Sequence, residues 1–391
     1  MKIQKKLKVL CIINDLSSTI FNIRIKTPLM LWKKKYGQSV KFVQVNNISK
    51  INFSWPNIII FQRTMSDFKL QLANFLKKNE KKIVYEIDDL LTKIPIYLKK
   101  TNFAINKTNI NEIIKIADAV SVSTNKLKSQ LKIKNSNIHV TPNYSLPMRR
   151  ISKHYSTRTK DIKLIISSTD NILLSMIIPS LFKVQKIFGV QIIGIGPICE
   201  QLKKAGIVIH ENSNFKHDKF KNFISKTDNA IGLIPLNFSL FNSCKSAIKF
   251  FDYSSCGIPS VCSKVSPYSE IIKNNFSGLL VENTTKSWTD NICRLIKDED
   301  LRSFLSKNAI IDIKQNYNID KNLKSWKLLL NSINISKNYK NKKNILKFTS
   351  KKRYYFLLRL LYKNFFNTYF YLNIFRVFQK LELKKFYNKT F

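Results

Sequence analysis

A chain of 391 residues that is 44% hydrophobic is long enough for two or three domains and too apolar to be a disordered polyanion binder. Its 68 Lys+Arg against 24 Asp+Glu leave a formal charge of +44, a surface drawn to nucleic acid or to an anionic bilayer. No stretch reaches the ~18–20 unbroken apolar residues of a membrane span, and six cysteines without paired metal spacing fit a reducing compartment.

The opening MKIQKKLKVLCIINDL has the lysine-then-apolar order of a signal peptide. Its apolar part, LKVLCII, is too short for that role and ends in Asn-Asp, as a first buried strand does. It is read as strand one of a cytoplasmic protein. Further strand patterns follow at KFVQV (41–45), NIIIFQR (57–63), KKIVYEIDD (81–89), AVSVST (119–124) and NIHVTPN (137–143). Amphipathic stretches such as 67–78 and 111–117 lie between them. Near-continuous apolar strands alternating with helices argue for a parallel, doubly wound sheet.

A polar, basic stretch (RRISKHYSTRTKD) starts at residue 149, and the pattern then restarts with IKLIISS (162–168), VQIIGIG (190–196), GIVIHE (206–211), AIGLIPL (230–236), PSVCS (259–263) and GLLVE (278–282). The fold expected is two Rossmann-like doubly wound domains, residues 1–148 and 149–316, with ligands in the cleft between them. Residues 298–330 read as helical, with Trp326 near the end. Residues 331–391 change character, with fifteen Lys/Arg, one acid and the aromatic run YYFLLRLLYKNFFNTYFY. Residues 336–391 are therefore read as a basic, aromatic helical tail resting on an anionic membrane surface without spanning it.

The segment CKSAIKFFDYSSCGIPSVCS (244–263) carries the most chemistry. On a helix, Lys245, Lys249 and Asp252 fall within one narrow arc, with Gly257 as its C-terminal cap and Pro259 beyond. Two readings fit that spacing. One is a surface i,i+3 ion pair worth a few tenths of a kcal/mol. The other is a nucleotide-diphosphate site, with ammonium groups on phosphate oxygens and a carboxylate on sugar hydroxyls.

KSAIKFFDYSSCGIPSV, with SPYSEII (266–272) and NFSGLLVEN (275–283), resembles the donor domain of GT-B glycosyltransferases, in particular the large retaining family of bacterial polysaccharide and lipopolysaccharide enzymes. The likeness extends over about 1–335, including KDEDLRSFLSKNAIIDIKQNY (297–317). It implies that Asp252, five residues before Gly257, binds the donor ribose, and that Lys245, Ser246 and Lys249 meet the diphosphate. It also implies a donor-side role for Glu270, and sets 317–335, around Trp326, apart as a helix crossing back to the first domain. A second acid common in the family, eight residues before Asp252, is replaced by Cys244.

Asp88 and Asp89, closing YEIDDLL, are a turn pair or cleft acids that orient the acceptor hydroxyl or take its proton. Asn14, Arg24 and Arg63 stand after strands one and three and are candidates for the acceptor side. His139 reads as structural, and His217 as a candidate for the donor cleft. The expected activity is sugar transfer from a nucleotide-diphosphate sugar to a saccharide or lipid-linked acceptor in cell-surface glycan synthesis, at the cytoplasmic face of the membrane. No metal or other cofactor and no nucleic acid partner is expected. The alternatives are a nucleic-acid-binding protein, which the +44 charge suggests, and a catalytically degenerate scaffold of the same fold.

Overall fold

The computed structural model describes residues 6–63, 66–95, 107–145, 158–167, 174–213 and 217–335. The proposed tail, 336–391, lies outside the described residues. Six strands, β1 (Lys8–Ile13), β2 (Ser39–Gln44), β3 (Ile58–Gln62), β4 (Lys82–Ile87), β5 (Ala119–Val122) and β6 (Ile138–Val140), form one parallel sheet in the order β2-β1-β3-β4-β5-β6. A second parallel sheet holds β7 (Lys163–Ser167), β8 (Gln191–Ile195), β9 (Ile209–Ser213), β10 (Ala230–Ile234), β11 (Ser260–Ser263) and β12 (Leu279–Val281), in the order β12-β11-β10-β7-β8-β9. Both orders reverse direction inside the sheet, between β1 and β3 in the first and between β7 and β10 in the second. Such switch points open a crevice at the carboxyl ends of the strands.

The continuous apolar runs follow from helices covering both faces of each sheet. Leu10 and Ile12 of β1 enter one core, while Val9, Cys11 and Ile13 enter another on the opposite face. The second sheet divides likewise, with Leu164 and Ile166 on one side and Ile165 on the other. β9 starts three residues later than its sequence pattern. Gly206, at φ +75°, and Ile207 are taken up in capping the helix Ile198–Lys204, with the Ile207 N–H donating to the Leu202 carbonyl at 3.0 Å.

The helix Ile319–Ser332 belongs structurally to the first half of the chain. Leu323, Trp326, Leu329 and Leu330 are buried in the same core as Val9 and Trp32, each contributing roughly 1.5–3 kcal/mol of apolar burial. Its start is pinned by the Ser145 N–H on the Tyr317 carbonyl at 2.7 Å and by the Asn322 amide on the Pro142 carbonyl at 2.6 Å.

Candidate active site

The second sheet's switch point is built around the helix Ile248–Ser255. Tyr253 lies on Gly232 of β10 so closely that a Cβ there would stand 2.7 Å from its ring. The helix ends as the sequence suggests. Gly257 adopts φ +71°, its N–H donates to the Ser254 carbonyl, and the Ile258 N–H donates to the Tyr253 carbonyl, both at 3.0 Å. Lys249, near the start of this helix, extends its ammonium to the carbonyl of Ser167, the last residue of β7. That places a cation at the crevice of the second sheet.

Asp252 does not pair with Lys249. Its carboxylate is buried, accepting from or ion-pairing with His217 Nε2 at 2.8 Å and lying 3.6 Å from Lys221 Nζ. His217 and Lys221 sit one turn apart on the helix His217–Lys226, so both oxygens of the acid are oriented by one neighbouring helix. The pairing of His217 with Asp252 spans 35 residues and had no local signature. The i,i+4 spacing of His217 and Lys221 did mark them as sharing a face.

Lys245 departs from the sequence expectation. It is not on the helix of Lys249 and Asp252; helical structure stops at Ser243 and resumes at Ile248, with Ala247 at φ −83°, ψ 38°. The reason is tertiary. Phe241 and Cys244 are packed into the first domain's core, Thr124 Oγ1 donates to the Cys244 carbonyl at 2.9 Å, and Asn143 Nδ2 donates to Ser246 Oγ at 2.6 Å. Docking 241–246 on the other domain outweighs helical periodicity. Cys244 is fully buried, and burial pushes its thiol up to about 11.

Opposite stands a charged group at the carboxyl ends of β3 and β4. Arg63, in the left-handed region at φ +44°, holds Asp88 through Nε and Asp89 through Nη2, the latter at 2.6 Å. Ser123 Oγ donates to the Asp88 carbonyl at 2.6 Å. Burial and the adjacent Asp88 raise the Asp89 carboxyl above the usual range, while Arg63 and Lys245 oppose that. Lys245 therefore faces the acids from the second domain, its ammonium also lying 4.9 Å from the Phe241 ring centre. A strained non-glycine residue at a cleft edge marks a position held by its surroundings.

Arg24 is placed differently from the acceptor-side expectation. It is 2% exposed, its Nε 2.8 Å from Glu86 Oε1, with further bonds to the Thr141 carbonyl, Thr141 Oγ1 and Asn143 Oδ1. It braces the ends of β4 and β6 from inside. Glu270 is half exposed, accepting from Ser266 Oγ at 2.5 Å and lying 3.9 Å from Lys126 of the first domain. His139 bonds Ser332 and Asn137, a structural position. Asn14, exposed beyond β1, accepts from the ammonium of Lys69. Sequence reading passed over Lys69, although it shares the buried arc of Leu72, Ala73 and Leu76 on the helix Asp67–Lys78. Among the described residues, no three His, Cys, Asp or Glu side chains are grouped as metal ligands are.

Residues 247–312, which include Lys249, Asp252 and Glu270, match the family model for glycosyl transferases group 1. The fold recurs in Anabaena HepE, solved with UDP and glucose, at 14% identity and TM-score 0.58 over 83% of this chain and all of that one. It recurs in the lipopolysaccharide outer core galactosyltransferase WaaB, at 14% identity and TM-score 0.58 over 83% and 99%. A glycosyltransferase from Rickettsia africae shares it at 14% identity and TM-score 0.55 over 85% and 100%. Among curated proteins no sequence matches the chain.

By fold the chain is of the GT-B type, and its residues 247–312 carry the glycosyl transferases group 1 segment.

Proposed function

We propose that the protein transfers a sugar from a nucleotide-diphosphate donor, with retention of configuration, to a saccharide or lipid-linked acceptor of a cell-surface glycan. One observation carries this reading. Lys249 and Asp252 stand on one helix at the second sheet's switch point, and Arg63, Asp88 and Asp89 stand at the carboxyl ends of the first sheet, with the Lys245 charge acting on Asp89.

Each group then has a task. The Lys249 ammonium, now on a main-chain carbonyl, meets a diphosphate oxygen and offsets the charge that grows on the departing nucleoside diphosphate. Asp252, steered by His217 and Lys221, accepts hydrogen bonds from the ribose hydroxyls. Lys245 and Ser246 border the same phosphates from the interdomain turn, and Glu270 approaches the donor from the opposite side. Asp88 and Asp89 orient the acceptor hydroxyl, with Arg63 keeping the pair together. No metal takes part in this scheme. The basic tail of 336–391 holds the enzyme against the anionic inner face of the cytoplasmic membrane, where a lipid-linked acceptor would be presented.

The test is turnover. The full chain is incubated with a panel of nucleotide sugars, and nucleoside diphosphate release is followed with and without saccharide acceptors. Release from one donor supports the reading, and release from none contradicts it. Cys244, buried where many relatives carry an acid, favours the alternative of a degenerate scaffold, which predicts nucleotide binding without release.

A further inference from the structure

A buried ammonium in the first domain has no part in the scheme above. Lys69 is 5% exposed and reaches Asn14, the first residue beyond β1. Its helix, Asp67–Lys78, follows β3. The amine therefore lies between the carboxyl ends of β1 and β3, the crevice where the first sheet reverses direction.

Its environment is unfavourable in two ways. Burial disfavours the charged form and pushes the ammonium down to about 8, and burial is the whole cause. Among the described residues no carboxylate pairs with it, and the stretches 64–65 and 96–106 contain no acid. Lys69 also occupies the first turn of a twelve-residue helix, where the backbone dipole favours anions over cations. A leucine at the same position would fill the stripe of Leu72, Ala73 and Leu76 without either cost. An anionic ligand would relieve both, since it would pair with the amine and lie at the positive end of the helix.

The position also gives a distance. In the first sheet β1 is two strands from β4, with β3 between. Neighbouring strands are about 4.8 Å apart, so Asn14 and Lys69 lie on the order of 10 Å from the acids that follow β4. That is the length of one to two sugar rings. The second domain closes over the ends of β5 and β6, through Thr124 and Asn143, so an acceptor extends from Asp88 and Asp89 towards β1.

We propose that Lys69 and Asn14 form an anion subsite for the acceptor, which carries a phosphate or carboxylate on the order of 10 Å from the hydroxyl that is glycosylated. The proposal rests on the glycosyltransferase reading and narrows it to acidic acceptors. A phosphate would come from a lipid diphosphate linkage and a carboxylate from a sugar acid.

Binding of octyl phosphate, methyl glucuronide and neutral methyl glucoside to the full chain is measured by NMR titration, for the parent, Lys69→Met and Asn14→Ala. Nucleoside diphosphate binding is measured in parallel as a control for the donor domain. The subsite predicts that octyl phosphate or methyl glucuronide binds the parent and weakens at least tenfold in Lys69→Met, with nucleotide affinity unchanged. Loss with octyl phosphate identifies the phosphate source, and loss with methyl glucuronide the sugar acid. Should Lys69→Met not fold, the exposed Asn14→Ala substitution carries the same expectation at about threefold. Equal binding by parent and variants, or binding of neither anion by the parent, overturns the subsite. Failure of every nucleoside diphosphate to bind the parent instead counts against the donor site, and the anion result is read separately.

Discussion

Replacing Arg24 by Met tests the buried polar brace behind the cleft. Arg24 and Glu86 are 2% and 0% exposed and 2.8 Å apart, and Glu86 Oε2 has no hydrogen-bond partner among the described residues. Removing the guanidinium strands a carboxylate in the core and strips partners from Thr141 and Asn143. Breaking one side of such a pair costs about 3–5 kcal/mol, whereas replacing both by apolar groups is often close to neutral. At about 2–4 °C per kcal/mol for a domain of this size, Arg24→Met should melt roughly 6–20 °C lower. Arg24→Met/Glu86→Leu should recover most of that loss.

The pH dependence has a definite sign. Burial, offset by Arg24, already raises the Glu86 carboxyl in the folded state, and losing Arg24 raises it further. A folded-state value above the unfolded one of about 4.3 means that stability is greatest below that pH and falls as pH rises through the folded value. The deficit of the single variant should therefore shrink on acidification. Thermal unfolding followed by near-ultraviolet circular dichroism at several pH values reads both effects. A single variant melting within about 2 °C of the parent, or a double variant no better than the single, would refute the reasoning.

Further outcomes follow from the cleft. Asp252→Ala should weaken nucleotide binding by roughly ten- to a hundredfold, the range for a lost hydrogen bond to a charged group, as measured by titration calorimetry. His217→Gln should retain more of that affinity than His217→Ala, since the amide can still donate to Asp252. Cys244→Glu should lower the melting temperature without raising turnover, because the site lies inside the first domain's core. The full chain should sediment with phosphatidylglycerol vesicles and be released as salt rises, as expected for attraction to anionic lipid.

The strands were legible because burial on two faces writes a continuous apolar run, as KVLCII does by feeding two cores. The Gly257 cap was legible because a residue at φ +71° favours glycine. Lys245 was misplaced because spacing alone does not register that Cys244 is anchored to Thr124, 120 residues away. The buried brace of Arg24, read from sequence as an acceptor-side residue, was hidden for a similar reason, since its partners Glu86 and Thr141 lie 62 and 117 residues on. Lys69 illustrates a different loss. In an amphipathic helix a lysine is taken for part of the wet face, although its register with Leu72 and Leu76 placed it inside.

At bottom the account depends on a cation and an acid of one short helix gripping a nucleoside diphosphate. Calorimetric titration of the parent and of Lys249→Met with the nucleoside diphosphate of the donor it turns over measures this directly. The account predicts saturable 1:1 binding by the parent, lowered at least about tenfold by the substitution, in keeping with a lost charge-assisted contact. Equal affinity in the two proteins would contradict it.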